Sequence, residues 1–167
     1  LEISRIDSGR VQLRAEDADI VVLTLGVLDL VAVHIEAKGS QVELDAPPAP
    51  VVAEVDSTRV ERILRNLIVN AIEHADGSRI DITIAGSHDA VAVRVRDHGI
   101  GMSPDVVKQV FDRFYRADPS RTRTLGGTGL GLSIALEDAA LHGGTIVAWG
   151  WPQEGASFLL TLPRRLG

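Results

Sequence analysis

The chain has 167 residues, 45% of them hydrophobic, and a formal net charge of −6 at pH 7. This length is enough to bury one hydrophobic core. The acidic balance argues against nucleic acid as a partner, because phosphate backbones are bound by clustered Lys and Arg. The absence of cysteine excludes disulfides and cysteine-based zinc sites. We find no signal peptide and expect no apolar run to span a membrane.

The N-terminal segment is predicted to be the end of a helix that starts further upstream. Residues 1–13 have the pattern of a helix tail stopped at Gly9 and followed by extended residues. So short a helix is marginal alone, and the chain begins with Leu, so we expect a piece of a longer protein. Asp19 is a good N-cap, and the apolar residues 20–38 behind it predict a buried helix that ends at Gly39.

Short strands are predicted over residues 41–44 and 51–55, on either side of a proline-rich turn. The next segment, residues 56–75, predicts an amphipathic helix capped by Asp56. Its apolar stripe has helical spacing and consists of Val60, Ile63, Leu64, Leu67, Ile68, Ala71 and Ile72. One edge of that stripe is polar and carries Arg59, Arg62, Asn66, Asn70, Glu73 and His74.

The two asparagines on that polar edge have two interpretations. Either the edge is a solvated flank, or the asparagines have a specific role, because Asn is a mediocre helix former. The amide oxygen of Asn66 or Asn70 is a suitable hard ligand for Mg²⁺. Magnesium takes few protein oxygens and completes its octahedron with water and phosphates, so one well-placed Asn can suffice.

Alternating residues over 80–84 and 91–95 predict a β-hairpin around the turn 86–89. Asp97 falls on the same strand face as the inward-facing valines, so its carboxylate points toward the core and needs a donor. It either caps a loop or accepts a hydrogen bond from an exocyclic amine such as that of adenine. The glycines Gly99 and Gly101 then allow tight turns or a close backbone approach to a ligand.

A short helix is predicted from the cap Ser103, with Pro104 in its first turn. It leads into a segment where aromatic residues alternate with arginines, namely Phe111, Arg113, Phe114, Tyr115 and Arg116. Such aromatics could pack in the core, stack on a base or dock on another protein. Three alternatives therefore remain for this segment.

The glycine-rich stretch 126–132 precedes a helix predicted over residues 133–141. Several glycines before a helix suit backbone amides that approach phosphate oxygens. A P-loop is excluded, because neither Lys follows a glycine. Strands over residues 145–149 and 156–162 complete the predicted sheet.

Four motifs in this order resemble the N, G1, F and G2 boxes of sensor histidine kinases. They are Asn66-x-x-x-Asn70, Asp97-x-Gly99-x-Gly101, the segment 111–116, and Gly127-x-Gly129-x-Gly131. The resemblance covers residues 20–162 and is strongest to the membrane-bound two-component sensors of actinobacteria. It implies the GHKL (Bergerat) fold, an α/β (α+β) sandwich. A mixed, mostly antiparallel sheet is covered on one face by about three helices, and a flexible lid closes over ATP.

The resemblance also implies roles for individual residues. Asn70 would coordinate Mg²⁺, Asn66 would support the metal and phosphates, and Asp97 would bind the adenine amino group. Further nucleotide contacts would come from His74, Gly99, Gly101, Arg113, Tyr115, Arg116, Gly127, Thr128, Gly129, Leu130 and Gly131. Many members carry a basic residue at the position of Glu73, so phosphate neutralisation would fall to the arginines or the lid.

By the same resemblance, residues 1–13 are the tail of a dimerisation hairpin and residues 14–167 are the catalytic domain. The γ-phosphoryl group of ATP would pass to a His on that upstream hairpin. None of the five histidines lies in the expected His-Glu/Asp-x-x-x-Pro context, so we expect ATP binding without self-phosphorylation. A response regulator is the implied partner. We expect a homodimer for the full-length protein, a monomer for this chain, and a cytoplasmic domain of a cell-membrane protein.

Two other functions remain open. One is an ATPase or serine kinase of the same fold, which would place a Glu at the position of Asn66 to activate water. Because Asn cannot take that proton, we expect slow hydrolysis, with Glu73, one turn away, as the residue that could supply a base. The other is a nucleotide-sensing interaction module without catalytic output.

Overall fold

The computed structural model describes residues 12–116 and 129–167. The predicted helix tail, which stops at Gly9, lies outside the described residues, and so do residues 117–125, which the sequence predicts to be a mobile loop. The same is true of two candidate phosphate contacts, Gly127 and Thr128. The predicted domain boundary at residue 13 therefore stays a prediction.

Within the described ranges the chain forms seven strands and four helices. In chain order they are β1 (Glu16–Asp19), α1 (Ile20–Lys38), β2 (Gln41–Asp45), β3 (Val52–Val55), α2 (Ser57–Ala75), β4 (Arg79–Gly86), β5 (Ala90–Asp97), α3 (Pro104–Gln109), α4 (Gly131–Leu141), β6 (Thr145–Gly150) and β7 (Ala156–Pro163).

The main sheet has five strands in the order β2-β4-β5-β7-β6. Only the β2–β4 pair is parallel, and the other three pairs are antiparallel. The predicted hairpin is confirmed as β4–β5, with Ile82 opposite Val95. The predicted mixed, mostly antiparallel sheet is therefore confirmed.

A second, two-stranded sheet pairs β1 with β3 in antiparallel register, with Asp19 opposite Val52. The strands predicted on either side of the proline-rich turn both exist, but β2 and β3 lie in different sheets. Strand β1 was missed, because its sequence Glu-Asp-Ala-Asp has no apolar alternation. Its pairing partner β3, and not its own composition, makes it a strand.

The helical layer is organised around α2. The apolar stripe predicted on this helix is fully buried against the sheet, and Asp56 caps it by accepting a hydrogen bond from the Arg59 amide at 3.2 Å. Helices α1 and α4 pack on either side of α2. The opposite sheet face leaves Val147, Leu159 and Trp149 exposed. One covered face is thus confirmed.

Helix α1 begins at the predicted cap Asp19, whose carboxylate accepts from the Val21 amide, and ends at Gly39 with a positive φ of 66°. Its buried edge consists of Ile20, Thr24, Val27 and Val31. The helix has 19 residues and a mean hydropathy of 2.1, which by length and composition alone would allow a membrane span. The expectation that no apolar run reaches that length was therefore wrong, although this helix packs along α2 within the domain.

Helix α3 starts as predicted, with Ser103 Oγ accepting from the Val106 amide at 3.4 Å. Helix α4 begins at Gly131, two residues before the predicted start at Ser133. The hydroxyl of Ser133 donates to the Leu130 carbonyl at 2.8 Å, so this serine lies inside the first turn and does not cap it. Gly131 and Leu132, which belong to the glycine-rich stretch, are therefore part of the first turn of α4.

Candidate functional site

Asp97 ends β5 with its side chain in the core, as its strand position predicted. The residue is 1% exposed and lies opposite Ile80 and Ala156 on the neighbouring strands. Its Oδ1 accepts a hydrogen bond from the Gly99 amide at 3.0 Å. Burial raises the pKa of the Asp97 carboxyl above its ordinary value, despite the backbone hydrogen bonds that favour the ionised form. The core therefore holds an acceptor whose ionised form is poorly solvated.

Gly99 brings the loop after Asp97 against the C-terminal end of α2. A Cβ at Gly99 would lie 1.8 Å from the His74 carbonyl oxygen, a distance at which no side chain fits. That carbonyl accepts from the Ile100 amide at 3.3 Å. The position of His74 relative to the loop is therefore determined by backbone contact.

Gly101 packs the other end of the same loop against the β6–β7 turn. A Cβ at Gly101 would lie 1.9 Å from the Trp151 carbonyl oxygen, and one at Gly155 would lie 1.9 Å from the Asp97 carbonyl oxygen. The Gln153 amide donates to the loop at 2.8 Å. These glycines therefore serve backbone packing around the buried carboxyl group. Sequence reasoning missed Gly155, although its place in a turn before a strand was a signal for it.

Asn66 lies on the edge of α2 that faces α4, and Asn70 follows one turn later on the same helix. Asn70 is 8% exposed, and Asn66 is half-buried. The Asn66 Oδ1 atom lies 3.2 Å from the place where a Cβ of Gly131 would be. A methyl group on the first residue of α4 would require the Asn66 side chain to shift, so the amide end of α4 lies directly beside an asparagine of α2. Two motifs 65 residues apart in the chain are thus neighbours.

The aromatic segment closes onto the glycine loop through its backbone. The Phe114 amide donates to the Gly129 carbonyl at 3.0 Å, and both residues have positive φ, 64° and 74°. The side chain of Arg113 pairs with Glu137 of α4 at 2.5 Å, with both groups exposed. The predicted phosphate contact Arg113 is thus already engaged by a carboxylate. Phe111 packs edge-on against Phe158, which confirms the packing alternative for that ring.

The contacts of Glu73, Tyr115 and Arg116 do not by themselves assign these residues a role in nucleotide binding. Glu73 Oε2 accepts from Lys38 Nζ of α1 at 3.2 Å, and the Glu73 side chain is 5% exposed. The Tyr115 amide donates a hydrogen bond to the Asp112 carbonyl at 3.2 Å, and Arg116 is the last residue of the first described range. The nucleotide roles of these residues stay predictions.

Sequence reasoning also missed an ionic contact between α2 and α4. Arg59 and Arg62, noted only as part of the polar edge, both bind Asp138, which is 2% exposed. The available signal was the position of Asp138 three residues after Ala135 and next to Ala139, on the apolar face of the helix. The arginines are thereby engaged in helix packing.

The arrangement can hold an extended ligand with a hydrogen-bond donor at one end and anionic groups at the other. Asp97 supplies the acceptor, and the amide end of α4 supplies donors beside Asn66. Within residues 12–116 and 129–167, no three His, Asp or Glu side chains group as a metal site. A metal here would need ligand phosphates and water besides an asparagine oxygen, as Mg²⁺ commonly does.

Comparisons with known proteins agree with this geometry. Residues 55–166 match the family described as histidine kinase-, DNA gyrase B- and HSP90-like ATPase. The chain is 52% identical over 163 residues to the sensor histidine kinase MtrB of Mycobacterium leprae, covering 98% of this chain and 29% of that protein.

Two solved structures share the fold at 26% sequence identity. The nucleotide-free catalytic domain of histidine kinase ThkA has a TM-score of 0.77, covering 91% of this chain and 97% of that one. Full-length ShkA in complex with AMPPNP has a TM-score of 0.83, covering 98% of this chain and 34% of that one. Together with the match over most of its length, these likenesses show that the chain belongs to the histidine kinase-, DNA gyrase B- and HSP90-like ATPase family.

Proposed function

We propose that this chain is the ATP-binding catalytic domain of a sensor histidine kinase. The observation that carries the proposal is the buried Asp97 carboxyl group, enclosed by glycines that leave no room for side chains. The Gly99 amide uses only part of the acceptor capacity of this buried carboxyl group, because its two oxygens together offer about four acceptor positions. The exocyclic amine of adenine is a partner of the right polarity.

The phosphate end of the nucleotide would lie between α2 and α4. Backbone amides at the start of α4 and the adjoining glycines would donate to phosphate oxygens, which the helix dipole also favours. Asn70 would provide an amide oxygen to Mg²⁺, with Asn66 as polar support. The metal would neutralise phosphate charge and orient the γ-phosphoryl group. The MgATP-binding residues of this chain would therefore act by positioning.

The acceptor is proposed to be a His on a hairpin upstream of this chain. An imidazole nitrogen would form a bond to the γ-phosphorus, the bond to the β–γ bridging oxygen would break, and ADP would leave while the imidazole proton passes to solvent. Phosphoryl transfer of this kind needs no strong base, because neutral imidazole is already a nucleophile near pH 7. A response regulator, a homodimer and a membrane anchor belong to the same proposal for the whole protein, since this chain spans 29% of the MtrB relative.

The hydrolase alternative has less support in this site. A hydrolase needs a carboxylate free to take a proton from water, whereas Asn66 has none. The nearby Glu73 accepts a hydrogen bond from the Lys38 ammonium group at Oε2, whereas its Oε1 is buried with no hydrogen-bond partner among the described residues, so Glu73 is the residue that a hydrolase would have to use. Slow hydrolysis by this chain therefore stays the prediction.

The first test is a calorimetric titration of ATP with Mg²⁺ into three proteins: the wild type, Asp97→Asn, and Asp105→Asn as a control. Asp105 lies on α3 with its side chain 89% exposed. We expect saturable binding to the wild type and the control. Asp97→Asn should bind at least about tenfold more weakly, because a hydrogen bond to a charged group contributes about 1.5–3 kcal/mol.

A second arm separates the kinase from a nucleotide-sensing module. A hairpin domain from a sensor kinase is supplied separately with labelled ATP, and phosphohistidine is measured. Transfer that is lost in Asn70→Asp supports the kinase. ATP binding with no transfer to any such hairpin favours the sensing module, and no binding by the wild type at millimolar ATP contradicts both.

A further inference from the structure

Asp138 is a buried carboxylate on α4 that the proposed function does not use. Its side chain is 2% exposed and accepts three hydrogen bonds from α2. Arg59 Nη1 reaches Oδ1 at 2.8 Å, while Arg62 donates in fork fashion from Nε to Oδ2 at 2.6 Å and from Nη2 to Oδ1 at 2.7 Å. Two-pronged arginine contacts of this kind define direction as well as distance.

The same end of α4 is attached to the start of α2 through His142. The Asp56 amide donates to His142 Nε2 at 3.1 Å, so the ring proton lies on Nδ1, which donates to the Asp138 carbonyl at 2.7 Å. Asp56 in turn accepts from the Arg14 amide at 3.1 Å. The C-terminal half of α4 is therefore held to α2 by both the side chain and the backbone of one residue.

The network and the nucleotide site lie on one edge of α2. Arg59, Arg62 and Asn66 follow at intervals of three and four residues, so they share a helix face. On α4, Asp138 and Gly131 are seven residues apart, or roughly 10 Å along the axis. The two helices thus meet at two points, an ionic contact near one end and the Asn66–Gly131 contact near the other.

We propose that Asp138 is a positioning residue that sets how far α4 lies along α2, and thereby places the amide end of α4 for the phosphates. The inference rests on the proposed function, because it assigns the phosphates to that end. A shift of α4 would move Gly131 relative to Asn66, where the gap already excludes a methyl group without adjustment. The adenine end would be unaffected, because Asp97 is held by strands and glycine turns.

The charges of the network support a mechanical role. Burial by itself would raise the pKa of Asp138, but the hydrogen bonds from Arg62 and Arg59 lower it below its ordinary value. The hydrogen bond to Asp138 likewise raises the pKa of Arg62. The carboxylate is therefore ionised when the helices are docked, and removing it leaves two guanidinium groups without their buried partner.

The test measures affinity for ATP and for adenosine separately, by titration into Asp138→Asn and Arg62→Gln. Arg65→Gln is the matched control, since Arg65 is exposed one turn along the same helix. Adenosine reports the adenine end alone, whereas ATP also reports the phosphate end. We expect Asp138→Asn to weaken ATP binding about tenfold, a change equal to the loss of one charge-assisted hydrogen bond, with adenosine affinity within about twofold.

Arg62→Gln should show the same selective loss to a smaller degree, because Arg59 still holds Asp138, and Arg65→Gln should match the wild type. Arg62→Gln also keeps the test open if Asp138→Asn does not fold. A general loosening of the fold would weaken ATP and adenosine equally, and that result would overturn the inference, as would unchanged ATP affinity in both variants. Wild-type protein that binds adenosine but not ATP would overturn the proposed function itself.

Discussion

At the scale of single residues, the site depends on glycines, because they have no side chain to occupy the space between neighbouring backbone segments. Gly99 and Gly101 lie where a Cβ would overlap carbonyl oxygens at less than 2 Å. Asp97 can be enclosed because these glycines let three backbone segments approach it. The physical consequence is that the loop after Asp97 is held at both ends by backbone contacts, which do not depend on side-chain rotamers.

Gly99→Ala is expected to lower the free energy of unfolding by about 1–3 kcal/mol, because the new methyl group forces the loop away from the His74 carbonyl. ATP affinity should fall with it. Urea denaturation and titration of the variant measure both quantities. A fully stable Gly99→Ala variant with wild-type affinity would contradict the contact.

At the scale of elements, α1 differs from α2 in that its exposed side carries large apolar residues. Leu30 and Val33 on its outer side are 74% and 76% exposed. Gly26 lies on the same outer side, in mid-helix, where an added Cβ would have no atom within 4 Å. A glycine in that setting costs conformational entropy without serving a turn or a contact.

Gly26→Ala is therefore expected to raise the free energy of unfolding by about 0.5–1 kcal/mol, since alanine restricts the unfolded chain and fits the helix. Gly39→Ala is the matched control. Gly39 ends the same helix at a φ of 66°, so that variant should be destabilised. Thermal or urea unfolding followed by circular dichroism measures both, and destabilisation by Gly26→Ala would mean that the outer face of α1 is covered in solution.

At the scale of the whole molecule, buried and half-buried carboxylates couple stability to pH in two directions. For Asp56, Asp81 and Asp138, burial opposes ionisation, but hydrogen bonds and neighbouring cations lower the pKa overall from the ordinary 3.8. Their contribution to the free energy of unfolding is fully present above the unfolded-state pKa. It is lost as the pH falls through the lower native pKa. Asp97 has a raised pKa, so its contribution is greatest at low pH and is lost as the pH rises.

We expect the free energy of unfolding to fall as the pH drops below about 4, where the unfolded chain begins to bind more protons than the native state. Asp138→Asn should make this acid decline shallower. Asp97→Asn should instead raise stability near pH 7 relative to acid, even as it weakens ATP binding. Urea denaturation from pH 2.5 to 7 measures all three curves. Parallel curves for wild type and Asp138→Asn would show that this carboxylate is not perturbed.

The elements of the fold could largely be predicted because their signals are local. The apolar stripe of α2, its cap Asp56 and the alternation of β4 and β5 each depend on neighbouring residues only. The inward orientation of Asp97 also followed from strand periodicity. Strand β1 could not be found in this way, since it is a strand only through its partner β3.

Local periodicity and spacing were enough to predict the helices, the hairpin, the inward-facing Asp97 and the order of motifs that resembles sensor histidine kinases. The polar edge of α2 is different, because its division between two tasks is visible only in the folded molecule. Arg59 and Arg62 bind Asp138, which lies more than 70 residues away in the chain, while Asn66 adjoins Gly131. Helix-to-helix register depends on the packing of such distant side chains, and no local pattern specifies it.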